Sequence, residues 1–315
     1  MSGALELRAL GRTGLEVTSL CVGTSPFNMP SHYGYSVEPA RAVATALAAM
    51  DGPINFLDTS NEYGGGETER LIGQAVRARV GLPAGFVLAS KVDPDPLTGD
   101  FSGRRVWASV EESLDRLGLE HLALVHLHDP ERISFEDGMK PGGPVEALVQ
   151  LRDEGVVGCI GVAGGPIELL LRYVATDVFD VVLTHNRYTL LDRSADPLLD
   201  AASRRGIGVL NAAPYGGGML VKGPATRPRY AYGLGDASLA ELAREMGVAC
   251  DQYHVSLAAA ALQFSVREPR IHSTVVGVSA PERIGQTVSL LDEVIPDVLW
   301  DRLRELSPRP DLWIG

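Results

Sequence analysis

Asn55-Phe56-Leu57-Asp58-Thr59-Ser60-Asn61-Glu62-Tyr63-Gly64-Gly65-Gly66 is the stretch whose reading decides the fold. Asn55-Phe56-Leu57 is a short apolar run, the mark of a buried strand, and it ends at Asp58. Three glycines follow Tyr63, and an amphipathic pattern then starts at Glu67 with Leu71, Ile72, Ala75 and Val76 on one face. A strand, a polar turn and a helix make one unit of an alternating β/α chain. In such barrels the strand-to-helix edge is where active sites are built. Taken alone, Asp58 could be a cap and Tyr63 a loop aromatic; the rest of the chain has to decide.

The unit repeats. Apolar runs at 19–23, 55–58, 86–91, 121–128, 157–162, 181–185, 208–213 and 274–278 predict eight strands. Helical patterns at 39–50, 67–80, 104–117, 144–154, 166–174, 196–205 and 281–291 fall between or after them. Strands that are apolar throughout belong to a parallel sheet covered on both faces. Eight such units predict a closed (β/α)8 TIM barrel rather than an open sheet. Two segments lie outside the repeat. Residues 5–17 hold Gly11-Arg12-Thr13-Gly14 between apolar flanks and predict a β-hairpin ahead of the barrel. Between the seventh and eighth strands, helices are predicted at 238–246 and 256–264, and the Gly- and Pro-rich run 214–235 is a candidate lid. No linker or charge block divides the chain, so residues 1–315 are expected to form one domain with long loops on the C-terminal face.

At 315 residues, 45% hydrophobic and 22% charged, the composition is that of a soluble globular enzyme. A net charge of −12 speaks against nucleic acid or an anionic membrane as a partner. The three cysteines Cys21, Cys159 and Cys250 are widely spaced and suit reduced, buried thiols. No signal peptide and no apolar run of membrane-spanning length is read, and a cytoplasmic location is expected.

The strand ends carry the chemistry. Asp58, with Tyr63 behind it, Lys91 and His128 close three consecutive strands, so a barrel brings them to one rim. A phenol titrates near 10 and is a poor acid or base at neutral pH. An adjacent ammonium stabilises the phenolate and is expected to lower that value, while a carboxylate holds the ammonium in place. A histidine beside the phenol can polarise a carbonyl oxygen. This set suits proton delivery to a carbonyl oxygen while hydride reaches its carbon. His126, two residues before His128, shares its face but lies deeper and reads as a packing residue. Trp107, Trp300 and Trp313 read as packing residues, and Glu131, Arg132 and Asp137 as a solvated charged loop.

The same residues carry a resemblance. Leu10 to Val17 (LGRTGLEV), Phe56-Leu57-Asp58-Thr59-Ser60 with Glu62-Tyr63-Gly64, Glu69-Arg70-Leu71-Ile72-Gly73, Ser90-Lys91, Ser113 to Leu119 (SLDRLGL) and Leu127-His128-Asp129-Pro130 together resemble the aldo-keto reductases over nearly the whole chain. The resemblance implies catalytic roles for Asp58, Tyr63, Lys91 and His128, and a nicotinamide cofactor bound without a G-x-G-x-x-G loop. It places the cofactor at Gly23 and Thr24, at Asn186, in the turn with Pro214, Tyr215, Gly216, Gly218 and Leu220, and after the eighth strand at Gly277, Ser279, Arg283, Gln286 and Thr287. Backbone N–H groups opening the helix near Ser279 can take phosphate, and Arg283 can lie over adenine or pair with a 2′-phosphate.

The chain also departs from the usual pattern. Gly277 stands where many NADPH-preferring members carry lysine, so NAD is slightly favoured over NADP. Ala163-Gly164 replaces a Ser-Asn pair, Leu183 a Gln, and Ala212 a frequent stacking tyrosine, leaving Asn186 to hold the nicotinamide amide. These changes, with Arg187-Tyr188-Thr189-Leu190-Leu191-Asp192, resemble the branch of sugar and pyridoxal dehydrogenases. The implied reaction interconverts a small aldehyde, ketone or sugar hemiacetal with its alcohol or lactone. Asp93, Asp95, Asn186 and Tyr215 are candidates to meet sugar hydroxyls, and the protein is expected as a monomer or small homo-oligomer. Two other classes remain. A metal-dependent barrel hydrolase would use His126, His128, Lys91, His185 and Asp58 as ligands, although its His-x-His pair would ordinarily sit on the first strand; no metal is expected. A cofactor-binding sensor with slow turnover would keep the fold and the altered nicotinamide pocket.

Overall fold

The computed structural model describes residues 5–315. Eight parallel strands close into a barrel: β3 Leu20–Gly23, β4 Phe56–Asp58, β5 Val87–Val92, β6 Leu122–His128, β7 Val157–Gly164, β8 Val181–His185, β9 Gly208–Ala212 and β10 Ser273–Gly277, which pairs back with β3. Each expected strand is present, displaced by no more than two residues at either end. The helices Pro39–Asp51, Glu67–Arg79, Gly103–Leu117, Pro144–Asp153, Ile167–Ala175, Asp196–Arg204 and Pro281–Ser289 surround the barrel. The short helix Phe135–Met139 and the helix Asp297–Glu305 had no counterpart in the sequence reading.

Strand side chains alternate between two buried environments, which is why these strands read as apolar throughout. Leu57, Leu88, Val125, Ile160, Val182 and Val209 point outward into the layer shared with the helices. Cys21, Phe56, Ala89, Leu124, Cys159, Leu183, Leu210 and Val275 point inward and fill the barrel. All three cysteines are buried and unpaired.

Below the barrel, β1 Leu7–Ala9 and β2 Glu16–Thr18 form the expected antiparallel hairpin. It closes the floor. Leu10 and Val17 are fully buried in the interior cluster. Arg12 donates to the carbonyls of Asp177 (2.9 Å) and Phe179 (3.1 Å), at the entrance to β8. Gly11 has φ +53, and a Cβ there would fall 2.3 Å from the amide nitrogen of Gly208.

The insertion between β9 and β10 forms its own apolar layer. The helices Leu239–Asp251, Leu257–Val266 and Asp297–Glu305 pack together there with Met219, Leu220 and Tyr230. The run 214–235 is not a bare loop. It contains the 3-10 turn Gly216–Gly218, the short helix Met219–Lys222 and the 3-10 turn Tyr230–Gly233. No described helix is long and apolar enough to cross a membrane.

Candidate active site

Parity along the strands places the site. Asp58 ends β4, Lys91 is next to last on β5 and His128 ends β6, all on the inward face. Tyr63 arrives from the loop after β4. Lys91 is 2% exposed, and its Nζ donates to Asp58 Oδ2 (2.6 Å), the Thr59 carbonyl (2.6 Å) and the Tyr63 hydroxyl (3.2 Å). The ammonium also lies 4.8 Å from the centre of the Tyr63 ring. The ring of His128 meets that of Tyr63 edge-on at 5.9 Å. All four sequence-predicted residues therefore share one cluster.

The loop that delivers Tyr63 is tied down by side chains read in the sequence only as motif. Asn61 donates to the Ser109 carbonyl and to Glu112, both at 3.1 Å, and accepts from Arg105 at 3.1 Å. Arg116 donates to the Asn61 carbonyl (3.1 Å) and pairs with Glu69 (3.2 Å) and Glu112 (3.2 Å). Glu69 is fully buried and also accepts from Ser90 at 2.6 Å. Gly66 has φ +85 directly against the Arg116 guanidinium, where a Cβ would come within 2.4 Å of Cζ. That contact explains the glycine before the helix.

The electrostatics correct one expectation. The Tyr63 phenol stands well above its ordinary value, through burial first and then the negative charge of Asp58. The neighbouring ammonium does not overturn these, so the phenol keeps its proton in the free protein. Lys91 donates to the phenol oxygen, which leaves the phenol's own hydrogen available to an acceptor.

Asp93 corrects another. It does not wait for a sugar hydroxyl: it is 1% exposed and both of its oxygens are occupied. His128 Nδ1 lies 2.6 Å from Oδ1, while Ser60 Oγ (2.6 Å) and the Glu62 N–H (3.1 Å) donate to Oδ2. Asp95 accepts from Leu97 and Thr98 in its own turn. Arg132, expected as a solvated charge, pairs with Glu62 (2.7 Å) and Asp129 (3.2 Å). Glu62, Asp93 and His128 bring ligand-type atoms within 4.8 Å of one another. The hydrogen bonds just described account for that grouping. The hydrolase ligand set is not assembled: His126 is fully buried one layer below the rim, and Lys91 is held in its ion pair.

The inward residue at the rim of β8 is His185. Leu183, two residues earlier on the same face, is buried and pairs in register with Ala163. Burial first, then the Arg187 charge, push His185 down to about 4, and it is neutral at physiological pH. Its Nδ1 lies 3.1 Å from Asn186 Nδ2. Asn186 itself is buried at φ +59 with Oδ1 unpartnered. A buried acceptor without a donor is what an incoming amide N–H would satisfy.

Around the rim, Gly23 ends β3 opposite Gly277 on β10. Thr24 is buried with its hydroxyl donated to the Asp58 carbonyl (2.9 Å). In the turn after β9, Pro214 is buried and Tyr215 half-buried. The N–H of Gly216 is bonded to the Ala213 carbonyl, and those of Gly218 and Leu220 to the Tyr215 carbonyl. The Leu220 side chain is in the core. Those three amides are therefore already engaged within the turn. Across the mouth, Ser279, Ala280 and Arg283 line a cleft together with Tyr35, Glu38 and Arg41. Two guanidinium groups beside a helix start suit the phosphate and adenosine end of a nucleotide. Arg283 donates to Gln286 (3.1 Å), Thr287 is nearly buried, and Arg41 pairs with Glu282. The sequence reading missed Arg41, Tyr35 and Glu38, because the first barrel helix carries no phosphate motif.

The run 214–235 and the segment around Tyr33 meet over this rim. Tyr33 packs edge-on against Tyr232 at 6.2 Å, and Arg227 donates to the Tyr33 carbonyl at 2.6 Å.

The profile of the Aldo/keto reductase family matches residues 19–308. The chain is 31% identical to pyridoxal 4-dehydrogenase of Microbacterium luteolum, over 96% of this chain and 97% of that one. It is 33% identical to L-galactose dehydrogenase of Arabidopsis thaliana, over 92% of this chain and 89% of that one. A solved aldo-keto reductase of Bacillus halodurans superposes with a TM-score of 0.77 over 96% of this chain and 97% of its own, at 19% identity, and so shows the fold.

Proposed function

The chain belongs to the aldo/keto reductase family of NAD(P)-dependent oxidoreductases, and from that membership we propose that it interconverts a small carbonyl compound or sugar hemiacetal with the corresponding alcohol or lactone, using Tyr63 as the acid–base group. The observation that carries this reading is the line of contacts from Asp58 through Lys91 to the Tyr63 hydroxyl. A nicotinamide held at this rim would supply or accept the hydride. In reduction Tyr63 gives its proton to the carbonyl oxygen. In oxidation it takes the proton from an alcohol or an anomeric hydroxyl. Lys91, fixed by Asp58 and the Thr59 carbonyl, compensates the negative charge left on the phenol oxygen when the proton departs. His128 donates to the substrate oxygen and orients it.

The unpartnered Oδ1 of Asn186 fits the nicotinamide amide, and Ser279, Arg283, Gln286 and Thr287 with Arg41 fit the other end of the cofactor. Gly23, Thr24 and the turn from Pro214 through Tyr215, Gly216 and Gly218 to Leu220 border the space between. Gly277 favours NAD over NADP: a Cβ there would come 2.9 Å from Pro26 Cγ, so a phosphate-binding lysine does not fit without moving Pro26. Likeness to pyridoxal 4-dehydrogenase and L-galactose dehydrogenase supports an aldose or an aromatic aldehyde or hemiacetal as substrate.

The test follows nicotinamide absorbance with NAD and NADP in parallel against aldoses, pyridoxal and simple alcohols, and against the matching carbonyls with the reduced cofactors. Turnover with an aldose or pyridoxal and preference for NAD are expected. Tyr63→Phe should lower kcat by about a hundredfold or more while cofactor binding stays near wild type. A Tyr63→Phe enzyme with wild-type turnover would sink the mechanism.

A further inference from the structure

Asp93 takes no part in the proton transfer described above, yet its position demands an explanation. It follows Lys91 by two residues, so both side chains leave the end of β5 on the interior side. A carboxylate buried this deeply is strongly unfavourable without a charged partner. Lys91 is already committed to Asp58 and the Thr59 carbonyl, and the salt bridge that Asp93 does make is to His128 Nδ1, at 2.6 Å. Ser60 and the Glu62 N–H hold the other oxygen, so the carboxylate cannot turn away.

We propose that Asp93 is a positioning residue that fixes the His128 ring by its Nδ1 edge, favours its imidazolium form, and leaves Nε2 as the donor to the substrate oxygen. The inference rests on His128 being the group that meets that oxygen. The ring is bordered by Asp93 and Ser60 at Nδ1, by Asp129 with Oδ1 3.7 Å from Nε2, by the Tyr63 ring, and by the Glu62 carboxylate within 4.8 Å, itself paired with Arg132. Lys91 lies on the same rim, with His126 below and His185 and Glu131 farther round. Burial opposes the imidazolium and Lys91 works in the same direction. Asp93 and Asp129 outweigh them, and His128 stands above the ordinary imidazole range. Asp93 shows the reciprocal effect: burial opposes its charge, but the His128 charge and the hydrogen bonds hold it at about 2. A charged donor strengthens as negative charge develops on the substrate oxygen, which a neutral ring does less well.

Asp93→Asn removes the charge and keeps the shape and an acceptor for Nδ1–H. In the wild-type protein, the His128 Cε1–H resonance, assigned through His128→Gln, should titrate above the ordinary imidazole value. In Asp93→Asn its midpoint should move to lower pH. The variant should lose roughly 10- to 100-fold in kcat with KM little changed, and the His128 limb of its pH–rate profile should move in the same direction as the resonance. Asp93→Glu should restore part of the shift. A wild-type His128 that titrates at or below the ordinary imidazole value overturns the inference without any variant, as does an unmoved midpoint in a folded Asp93→Asn protein. The titration needs no substrate. A shifted midpoint in a protein with no turnover would therefore support the Asp93 inference and count only against the proposed reaction.

Discussion

At the scale of single residues, the Asp93–His128 pair fixes a pH signature of stability. His128 binds its proton more tightly in the folded protein than in the unfolded chain. Its contribution is therefore full below the ordinary imidazole value and is lost as pH rises through the raised one. Asp93 runs the other way: its contribution is present above the ordinary carboxylate value and fades as pH falls toward about 2. The two windows overlap in the mildly acidic range, near pH 5. Thermal melts of Asp93→Asn should show the largest loss there and a smaller one at pH 9. A deficit that grew toward pH 9 would contradict the pairing. The carboxylate was legible in one respect, since a residue two beyond Lys91 on a strand must share its face. What could not be read was its partner, because β5 and β6 are set in register by pairing across the sheet and not by sequence spacing. Leu183 and His185 likewise share the inward face of β8, and His185 ends the strand.

At the scale of elements, the loop after β4 is rigid because the helix Gly103–Leu117 holds it. Arg116 is the hinge of that contact, joining Glu69, Glu112 and the Asn61 carbonyl. Glu69 is fully buried; burial pushes its carboxyl above the ordinary range in spite of Ser90, Ser113 and Arg116. Removing the cation leaves a buried charge without compensation, a change that costs about 3–5 kcal/mol. Arg116→Met should therefore lose roughly 3–5 kcal/mol of stability at pH 8, read as a lower denaturation midpoint. The loss should be smaller at pH 5.5, where the orphaned carboxyl can take up a proton. Equal losses at both values would show that Glu69 carries no charge worth pairing. Because the loop also carries Tyr63, kcat should fall in the folded variant. The strands and helices around this loop were readable from periodicity alone. The run 214–235 was not, since its turns rest on left-handed backbone at Ala231 and Tyr232 as well as at glycines, and no residue type announces that. Its packing against Tyr33 brings distant parts of the chain together, which periodicity does not encode.

At the scale of the whole molecule, the barrel separates its two ends by purpose. The C-terminal rim gathers Asp58, Tyr63, Lys91 and His128 with a buried acceptor at Asn186, and tolerates unpaired polar atoms to do so. The N-terminal floor is closed by the hairpin, where Leu10 and Val17 are fully buried among inward-facing strand residues. Function is built at the first end and stability at the second. The division was visible in outline: apolar flanks around Gly11-Arg12-Thr13-Gly14 implied a hairpin, while its seat beneath β8 and β9 emerges only once the barrel is closed. Leu10→Ala separates the two ends experimentally. The truncated side chain leaves a void against Gly208, whose absent side chain is what admits Leu10: a Cβ there would lie 2.8 Å from Leu10 Cδ1. Because the surrounding backbone is held by Arg12 to the Gly206, Asp177 and Phe179 carbonyls, the floor cannot collapse to fill the space. The loss should reach about 2–5 kcal/mol, read as a lower denaturation midpoint with an unchanged slope. Turnover at 25 °C should stay within about twofold of wild type, since the change lies at the end opposite the reacting groups. A variant of wild-type stability would mean that the hairpin does not seal the barrel. A stable variant with lost turnover would mean that floor and rim are coupled through the interior column of Phe56, Ala89 and Leu124.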